Sequence, residues 1–364
     1  MTLAEARAHV AEAFDGRPSG VFIDSANYGI PPTATVRALE RALEGWQAGA
    51  ADWLEWDTAG EACRAHFARL CHASPETVAL MPAVSVGTGL VAASLPEGST
   101  VLTATDDFTS VLFPFLAAAE RRDVSVREAP PGRLADAVDG STTLVAASWV
   151  HSATGATVDV GDLVAACRAH GARLLLDVTQ GLGVVPFDVG DVDYVVCAAY
   201  KFLLCPRGVA FLRVAPDAAA SVAPLVSGWR SADDPYGRFY GGPLTLAPTA
   251  ARHDVSLAWH AWYGAERSLG MLAGLPEDVR QALACEPARR LAAALEQPPP
   301  TASIVSLAVR DSPELRRDLA RHDIRLSMRG GRARASFHVY NRDADADIAA
   351  SVLRPHLDPR GGAS

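Results

Sequence analysis

The sequence predicts an α/β protein: a large domain with a mostly parallel sheet flanked by helices, followed by a small C-terminal α+β domain. Three observations lead there. From residue 77 onward, short and almost wholly apolar runs alternate with helical stretches, the pattern of strands covered on both faces. Two of those runs end on ionisable residues. Asp177 closes Leu174-Leu175-Leu176, and Lys201 falls just past the strand that begins at Tyr194. Beyond Pro298-Pro299-Pro300, an extended linker, the pattern changes to short strands separated by two amphipathic helices.

Taken in order, residues 1–15 read as a helix broken by Gly16 and Gly20. "VFIDSANYGIPP" reads as a short strand entering a turn in which Asn27 and Gly29 are suited to positive φ. Amphipathic helices follow at about 33–48 and 58–72, with Trp46, Trp53 and Trp56 as packing or interface residues. The alternating region then runs as strand "TVALMPA", helix "VSVGTGLVAASL", strand "STVLTAT", a helix over about 109–121, and strands "VSVREAP" and "TTLVAASWV". Helix "VGDLVAACRAHG" stops at Gly171, and strands "ARLLLDV", "DYVVCAAY" and "RGVAFLRV" follow. Residues 215–255 crowd Gly, Pro, Tyr and Trp without periodicity, and an irregular stretch of that length is usually functional. A helix at about 255–273 leads to the last part: "SIVSLAV", "PELRRDLARH", "IRLSM", "ARASFHV" and "DADIAASVLRP". The division expected is 1–20 as an N-terminal helix on the small domain, 21–254 as the large domain, and 255–364 as linking helix plus small domain.

Composition narrows the function. A chain of 364 residues, 49% hydrophobic, has enough apolar content for a large core. Its net charge of −9 and scattered arginines argue against nucleic acid as a partner. The six cysteines show neither a CxxC pair nor metal-ligand spacing and read as reduced, buried thiols. No apolar run approaches the ~20 residues that span a bilayer, and the first residues lack a charged-then-apolar leader. A cytoplasmic protein without metal is the expectation.

Lys201 is the one lysine among 33 basic residues. Arginine stays protonated, whereas a desolvated lysine can lose its proton and form a Schiff base. An arginine-biased composition that left one lysine at a strand end is the competing reading. Position favours chemistry, because the carboxyl edge of an open α/β sheet is where ligands bind. Asp177 sits at the same edge, one strand–connection–strand unit earlier. It either caps its turn or pairs with a cation, and a lysine with such a carboxylate is the arrangement that holds pyridoxal phosphate. "MPAVSVGTGL" opens a helix with small residues, leaving amides free for a phosphate; Ser85 and Thr88 are equally plain caps. Phe108 follows another strand and either stacks on an aromatic ring or joins the core. His151, Ser152 and Thr154 follow a further strand, to touch a phenolic oxygen or only make a turn, with His151 also a possible base. Arg334, in an alternating strand, is either a carboxylate clamp or a surface residue.

With these residues in place, the chain resembles the class V aminotransferase family of fold-type I pyridoxal phosphate enzymes over about residues 21–353. Cysteine desulfurases, kynureninases and isopenicillin N epimerase are among its members. "LLLDVTQGLGVVPFDV" and "DYVVCAAYKFLLCPRGVAFL" carry the likeness. The resemblance implies that Lys201 binds the cofactor as a Schiff base and moves the Cα proton of an α-amino acid. It further implies Asp177 at the pyridine nitrogen and Gln180 and Ser152 near the phenolic oxygen. Ser85, the Val86 backbone and Tyr200 would hold the phosphate, Phe108 would stack, and Trp229 would reach the phosphate of a neighbouring subunit. Arg334 would bind the substrate carboxylate, with Asn27, Tyr28 and His151 as further substrate contacts. A homodimer with shared active sites is implied, with no membrane or nucleic-acid partner. The likeness ranks transamination first, with β-eliminating C–S or C–C cleavage (kynureninase-like) and epimerisation as alternatives, and non-catalytic cofactor binding behind them. A nucleotide-dependent oxidoreductase is disfavoured because no G-x-G-x-x-G follows the first strand. Departures are also visible: "MRGGRAR" has no cysteine where desulfurases carry a mobile one, and Ala198 and Ser152 replace a more usual Ser and Asn.

Overall fold

The computed structural model describes residues 1–16, 19–237 and 239–358. Its large sheet is made of β2 (Val78–Met81), β3 (Ser99–Ala104), β4 (Val124–Ala129), β5 (Leu144–Ser148), β6 (Arg173–Asp177), β7 (Tyr194–Ala198) and β8 (Ala210–Val214), after a first short strand β1 (Val21–Phe22) that lies elsewhere. The spatial order is β2-β8-β7-β6-β5-β3-β4. Only β8 runs against the others, pairing antiparallel with both β2 and β7. The carboxyl ends of five strands (β2, β3, β5, β6 and β7) therefore meet the amino end of β8 along one edge.

The helices of this part are α1 (Leu3–Ala13), α2 (Thr33–Gln47), α3 (Trp53–Leu70), α4 (Val84–Ala93), α5 (Thr109–Ala119), the single turn α6 (Leu134–Ala137), α7 (Val160–His170) and α8 (Trp259–Gly274). Strand residues alternate between two cores. Leu174, Leu176, Val195 and Cys197 face α3, α7 and α8, whereas Leu175, Val196 and Ala198 face α4 and α5. Asp177, one step past Leu176, thus points to the α4 side, as does Ala198. Local chemistry sets several boundaries. Asp52 caps α3 through the Leu54 amide, so that helix begins at Trp53 rather than near 58. Asp159 caps α7, and Gly171 ends it at φ 73°.

The last part holds α9 (Glu277–Ala294), β9 (Ile304–Ala308), α10 (Pro313–Arg321), β10 (Ile324–Arg325), β11 (Ser327–Arg329), β12 (Arg332–Ser336) and α11 (Asp343–Leu353). Strands β11, β12 and β9 form an antiparallel sheet. Further features differ from expectation. Strand β1, assigned to the start of the large domain, pairs parallel with β10, and Val21 and Ile23 join the core of the last part. The single linking helix is two helices, α8 and α9, divided at Leu275-Pro276; proline cannot continue α8. Neither Asn27 nor Gly29 takes positive φ. All six cysteines are buried and free, and among the described residues no helix is long and apolar enough to cross a membrane.

The irregular 215–255 stretch is tied down by buried charge. Arg64 pairs with Asp254 at 2.6 Å, and Asp254 also accepts the Leu80 amide at 2.8 Å. Arg230 pairs with Asp57, which further accepts Tyr236 Oη at 2.8 Å and Trp259 Nε1 at 3.0 Å. Truncating one partner of such a pair leaves an uncompensated charge, at about 3–5 kcal/mol. Asp254→Ala should lower the stability by that amount in urea titration, with Asp254→Asn losing less because it retains an acceptor for the Leu80 amide.

Candidate active site

Five strand ends and the start of β8 enclose a cavity of about 160 Å³, some ten times the space one water requires. Asp177, Thr179 and Gln180 enter from β6, and Ala198, Tyr200 and Lys201 from β7. Phe108 comes from the turn after β3, Ser148 and Ser152 from β5, Val84 and Ser85 from the start of α4, and Arg207 and Gly208 from the turn into β8.

Lys201 is only 5% exposed. Burial is the largest influence on its amine and lowers the pKa from 10.5 to about 8, with Asp177 opposing and Arg334 assisting. Asp177 is raised from 3.8 to about 6, mainly by burial, while hydrogen bonds from Thr179 and the charge of Lys201 pull it down. The Lys201 Nζ lies 4.9 Å from the centre of the Phe108 ring, so Phe108 faces the cavity rather than the core. Gln180 Nε2 donates to Ser152 Oγ at 3.0 Å and to the Ala26 carbonyl at 3.3 Å, and its buried Oε1 has no partner.

Arg334 reaches the same region from β12. Its Nη1 donates to the Ser152 carbonyl and hydroxyl at 2.7 and 3.2 Å. Nε and Nη2 are buried without hydrogen-bond partners, and Asp24 lies 3.8 Å from Nη2. Burial lowers this guanidinium to about 10, which leaves it charged at neutral pH. Two buried donors on a 1%-exposed arginine are what a carboxylate would satisfy.

Other predicted residues lie differently. The Val86 amide donates to the Ala83 carbonyl at 3.2 Å, and its residue is absent from the cavity wall. Val84 and Ser85, in the first turn where no carbonyl precedes them, are the amides open to a phosphate. Neither Ser85 nor Thr88 caps α4, whose N-cap is Ala83 without a side-chain bond. His151 is not a free base: Nδ1 meets Thr154 Oγ1 at 2.9 Å and Nε2 meets the Asp106 carbonyl at 3.1 Å. Tyr28 turns to Phe22, with rings 5.2 Å apart, away from the cavity. Asn27 donates to Asp24 at 3.3 Å, and so touches the site only through the carboxylate beside Arg334. Trp229 lies outside this cavity in an aromatic cluster with Trp53, Tyr236 and Phe239.

Several positioning residues carry no motif. Asp107 accepts the Ser148 amide at 2.8 Å and the Phe108 amide at 2.6 Å, fixing the turn that presents Phe108. Thr179 Oγ1 accepts the Ala198 amide at 2.9 Å, locking β6 to β7 beside Asp177. The Gly29 amide donates to the Tyr200 carbonyl at 3.0 Å, and a Cβ at 29 would collide with the Lys201 carbonyl. Buried His338 accepts the Val339 amide at Nδ1, so Nε2 carries the proton and donates to the Phe202 carbonyl at 2.9 Å.

The fold and site together define a sheet-edge pocket for a ligand that reacts with a primary amine. Comparison with known proteins gives the family. The class V aminotransferase family matches residues 29–241, and the chain belongs to it. An uncharacterized aminotransferase of Bacillus subtilis is 30% identical over 231 residues, 61% of this chain and 60% of that protein. A probable cysteine desulfurase of Methanothermobacter thermautotrophicus is 28% identical over 224 residues, 57% of this chain and 56% of its own length. The chain thus spans under two thirds of these relatives; others that match are named kynureninase and isopenicillin N epimerase. A solved cystine C–S lyase shares the fold with TM-score 0.84 at 22% identity, covering 95% of this chain and all of the other.

Pyridoxal 5′-phosphate is the cofactor of this family, and the pocket fits it. The amine, the buried carboxylate, the unpartnered Gln180 Oε1 and the open amides of α4 provide one partner each for its aldehyde, ring nitrogen, ring substituents and phosphate. Burying Lys201 charged costs the cofactor-free protein stability. Its folded pKa lies below the unfolded value, so the penalty is full below pH 8, about 3 kcal/mol, and is gone above about 10.5. Cofactor-free Lys201→Met should therefore be more stable than the parent at pH 7 in denaturant titrations, with the gap closing as pH rises toward 10.5.

Proposed function

We propose that the protein is a pyridoxal phosphate-dependent enzyme that removes the Cα proton of an α-amino acid and expels its β-substituent. The observation that carries the first part is a buried amine, its pKa lowered by burial to about 8, in one pocket with a carboxylate and beside an arginine with two unpaired donors. Bound pyridoxal phosphate supplies the electron sink that acidifies the Cα–H bond. Arg334 Nε and Nη2 take the substrate carboxylate in a two-point grip, which orients the Cα–H bond toward Lys201. Lys201 Nζ would accept that proton, and a pKa of about 8 suits it both to take and to return one. Asp177 would sit against the cofactor's ring nitrogen, and Phe108, facing Lys201 Nζ, would help keep water from the amine.

Elimination is favoured over transfer by the company this chain keeps. Several relatives are named for cleavage at the β-carbon, as cysteine desulfurase or kynureninase, whereas one relative at 30% identity is named an aminotransferase. The hairpin Ser327–Ser336 holds no cysteine, so no thiol there can carry sulfur away as a persulfide. Transamination is the second reading, on the strength of the Bacillus relative. S-substituted cysteines given to the holoenzyme should release pyruvate, ammonia and the free thiol without any keto acid. Amino transfer that requires an α-keto acid, without pyruvate release, would favour the second reading, and no spectral response to any amino acid would leave a non-catalytic cofactor binder. Arg334→Lys should reduce kcat/KM on the order of 100-fold, chiefly through KM, since one ammonium cannot replace a two-point contact.

The homodimer belongs to the same proposal. Leu225, Tyr240 and Leu244 are exposed, Tyr240 by 96%, and Tyr240 and Leu244 lie on the same anchored 229–254 segment as Trp229 and Phe239, whose rings pack with Trp53. A second copy would cover this apolar surface and bring Trp229 to the neighbouring pocket. Light scattering should give twice the 38.3 kDa chain mass, and Tyr240→Asp with Leu244→Asp should return it to the monomer value.

A further inference from the structure

The end of the cavity formed by α4 poses a charge problem. A phosphate there would meet the open amides of Val84 and Ser85 and the Ser85 hydroxyl, while position 198 offers only a methyl and the turn after β7 offers the neutral Tyr200 hydroxyl. A dianion in a partly enclosed pocket needs more than neutral donors. Arg207 comes from the turn before antiparallel β8, is exposed, and lines the same cavity as Val84, Ser85, Ala198 and Tyr200. The next residue, Gly208, adopts φ +96°, a sharp turn that leaves Arg207 at the rim as the chain dives into the sheet. The Arg207 guanidinium carbon sits 4.7 Å from the centre of the Tyr200 ring, which holds its head over the pocket at little further loss of freedom. Among the described residues it has no carboxylate partner, in contrast to Arg64, Arg173 and Arg230, each of which is paired.

Resting on the cofactor assignment above, we propose that Arg207 is a phosphate-binding residue of this pocket and supplies the contact that a hydroxyl at position 198 would otherwise make. The guanidinium offers two parallel donors and a full charge to the phosphate, with Tyr200 as the platform that orients it. The ring aldehyde and nitrogen, held by Lys201 and Asp177, make no use of Arg207.

Cofactor-free protein titrated with pyridoxal 5′-phosphate and, separately, with pyridoxal tests this, reading the absorbance of the Schiff base at Lys201. Arg207→Ala should weaken pyridoxal phosphate on the order of 10- to 100-fold while leaving pyridoxal within twofold. Adding Ala198→Ser to Arg207→Ala should recover a tenfold or larger share of the loss, and Arg207→Lys should fall between. Unchanged pyridoxal phosphate affinity in Arg207→Ala overturns the proposal. So does an equal loss for both ligands, which would mark a residue that only shapes the pocket. If the parent protein forms the Schiff base with neither ligand, the cofactor assignment itself fails, a result distinct from normal binding that ignores Arg207.

Discussion

Taking one ammonium and one carboxylate out of water at the same sheet edge is the constraint from which the rest follows. Each group alone would neutralise itself, since burial drives Lys201 down and Asp177 up. Together they stay partly charged, because each opposes the other's shift. The pair is not a bridge evolved for stability, as buried ion pairs rarely repay their desolvation. It is a reactive amine kept close to the pH at which it can lose a proton. The parallel sheet makes this possible: five strands deliver their ends to one line, so each functional side chain comes from a short turn rooted in a strand that cannot shift.

That precision needs support from outside the sheet. The turn carrying Lys201 is gripped on its far side by residues of the first and last parts of the chain. The Gly29 amide bonds the Tyr200 carbonyl, and buried His338 bonds the Phe202 carbonyl, so the peptide units on both sides of Lys201 are fixed from outside. Arg334 meets Ser152 across the same boundary. A change in how the last part sits would thus move the Lys201 amine and the Arg334 guanidinium together.

Much of this was legible in the sequence, for reasons that differ from residue to residue. Strands β2, β3 and β5 to β8 read correctly because they are buried and largely apolar, and strand ends pointed to Asp177, Lys201 and Phe108, whereas Gln180 came from the family resemblance. Side-chain motifs failed where backbone groups do the work. The amides left open shift from Val86 to Val84 and Ser85 because the Val86 amide donates to the Ala83 carbonyl, and no letter in the sequence records that. His151 looked like a base because imidazole type says nothing of partners, and both its nitrogens are occupied. Non-local packing explains two further differences: strand β1, read as a strand but assigned to the large domain, pairs with β10, and helix α9, not separated from α8 in the sequence, buries residues against both cores. Asp107 and His338 act on backbone atoms, so they resemble ordinary loop residues until the fold brings their partners near.

Arginine use across the chain gives the last connection. Every cation but Lys201 and the chain terminus is a guanidinium or an imidazole, and a guanidinium does not condense with an aldehyde at neutral pH. Buried arginines such as Arg64 and Arg230 do structural work in charged networks, and Arg334 presents donors to an anion, both tasks suited to a planar fork that never titrates. The one lysine stands where burial lowers the pKa of its amine to about 8, a titration no arginine could supply. An aldehyde-bearing cofactor entering this protein finds a single side-chain amine, already desolvated and faced by a carboxylate. Selectivity for that position is thus set as much by what the other cationic residues cannot do as by what Lys201 can.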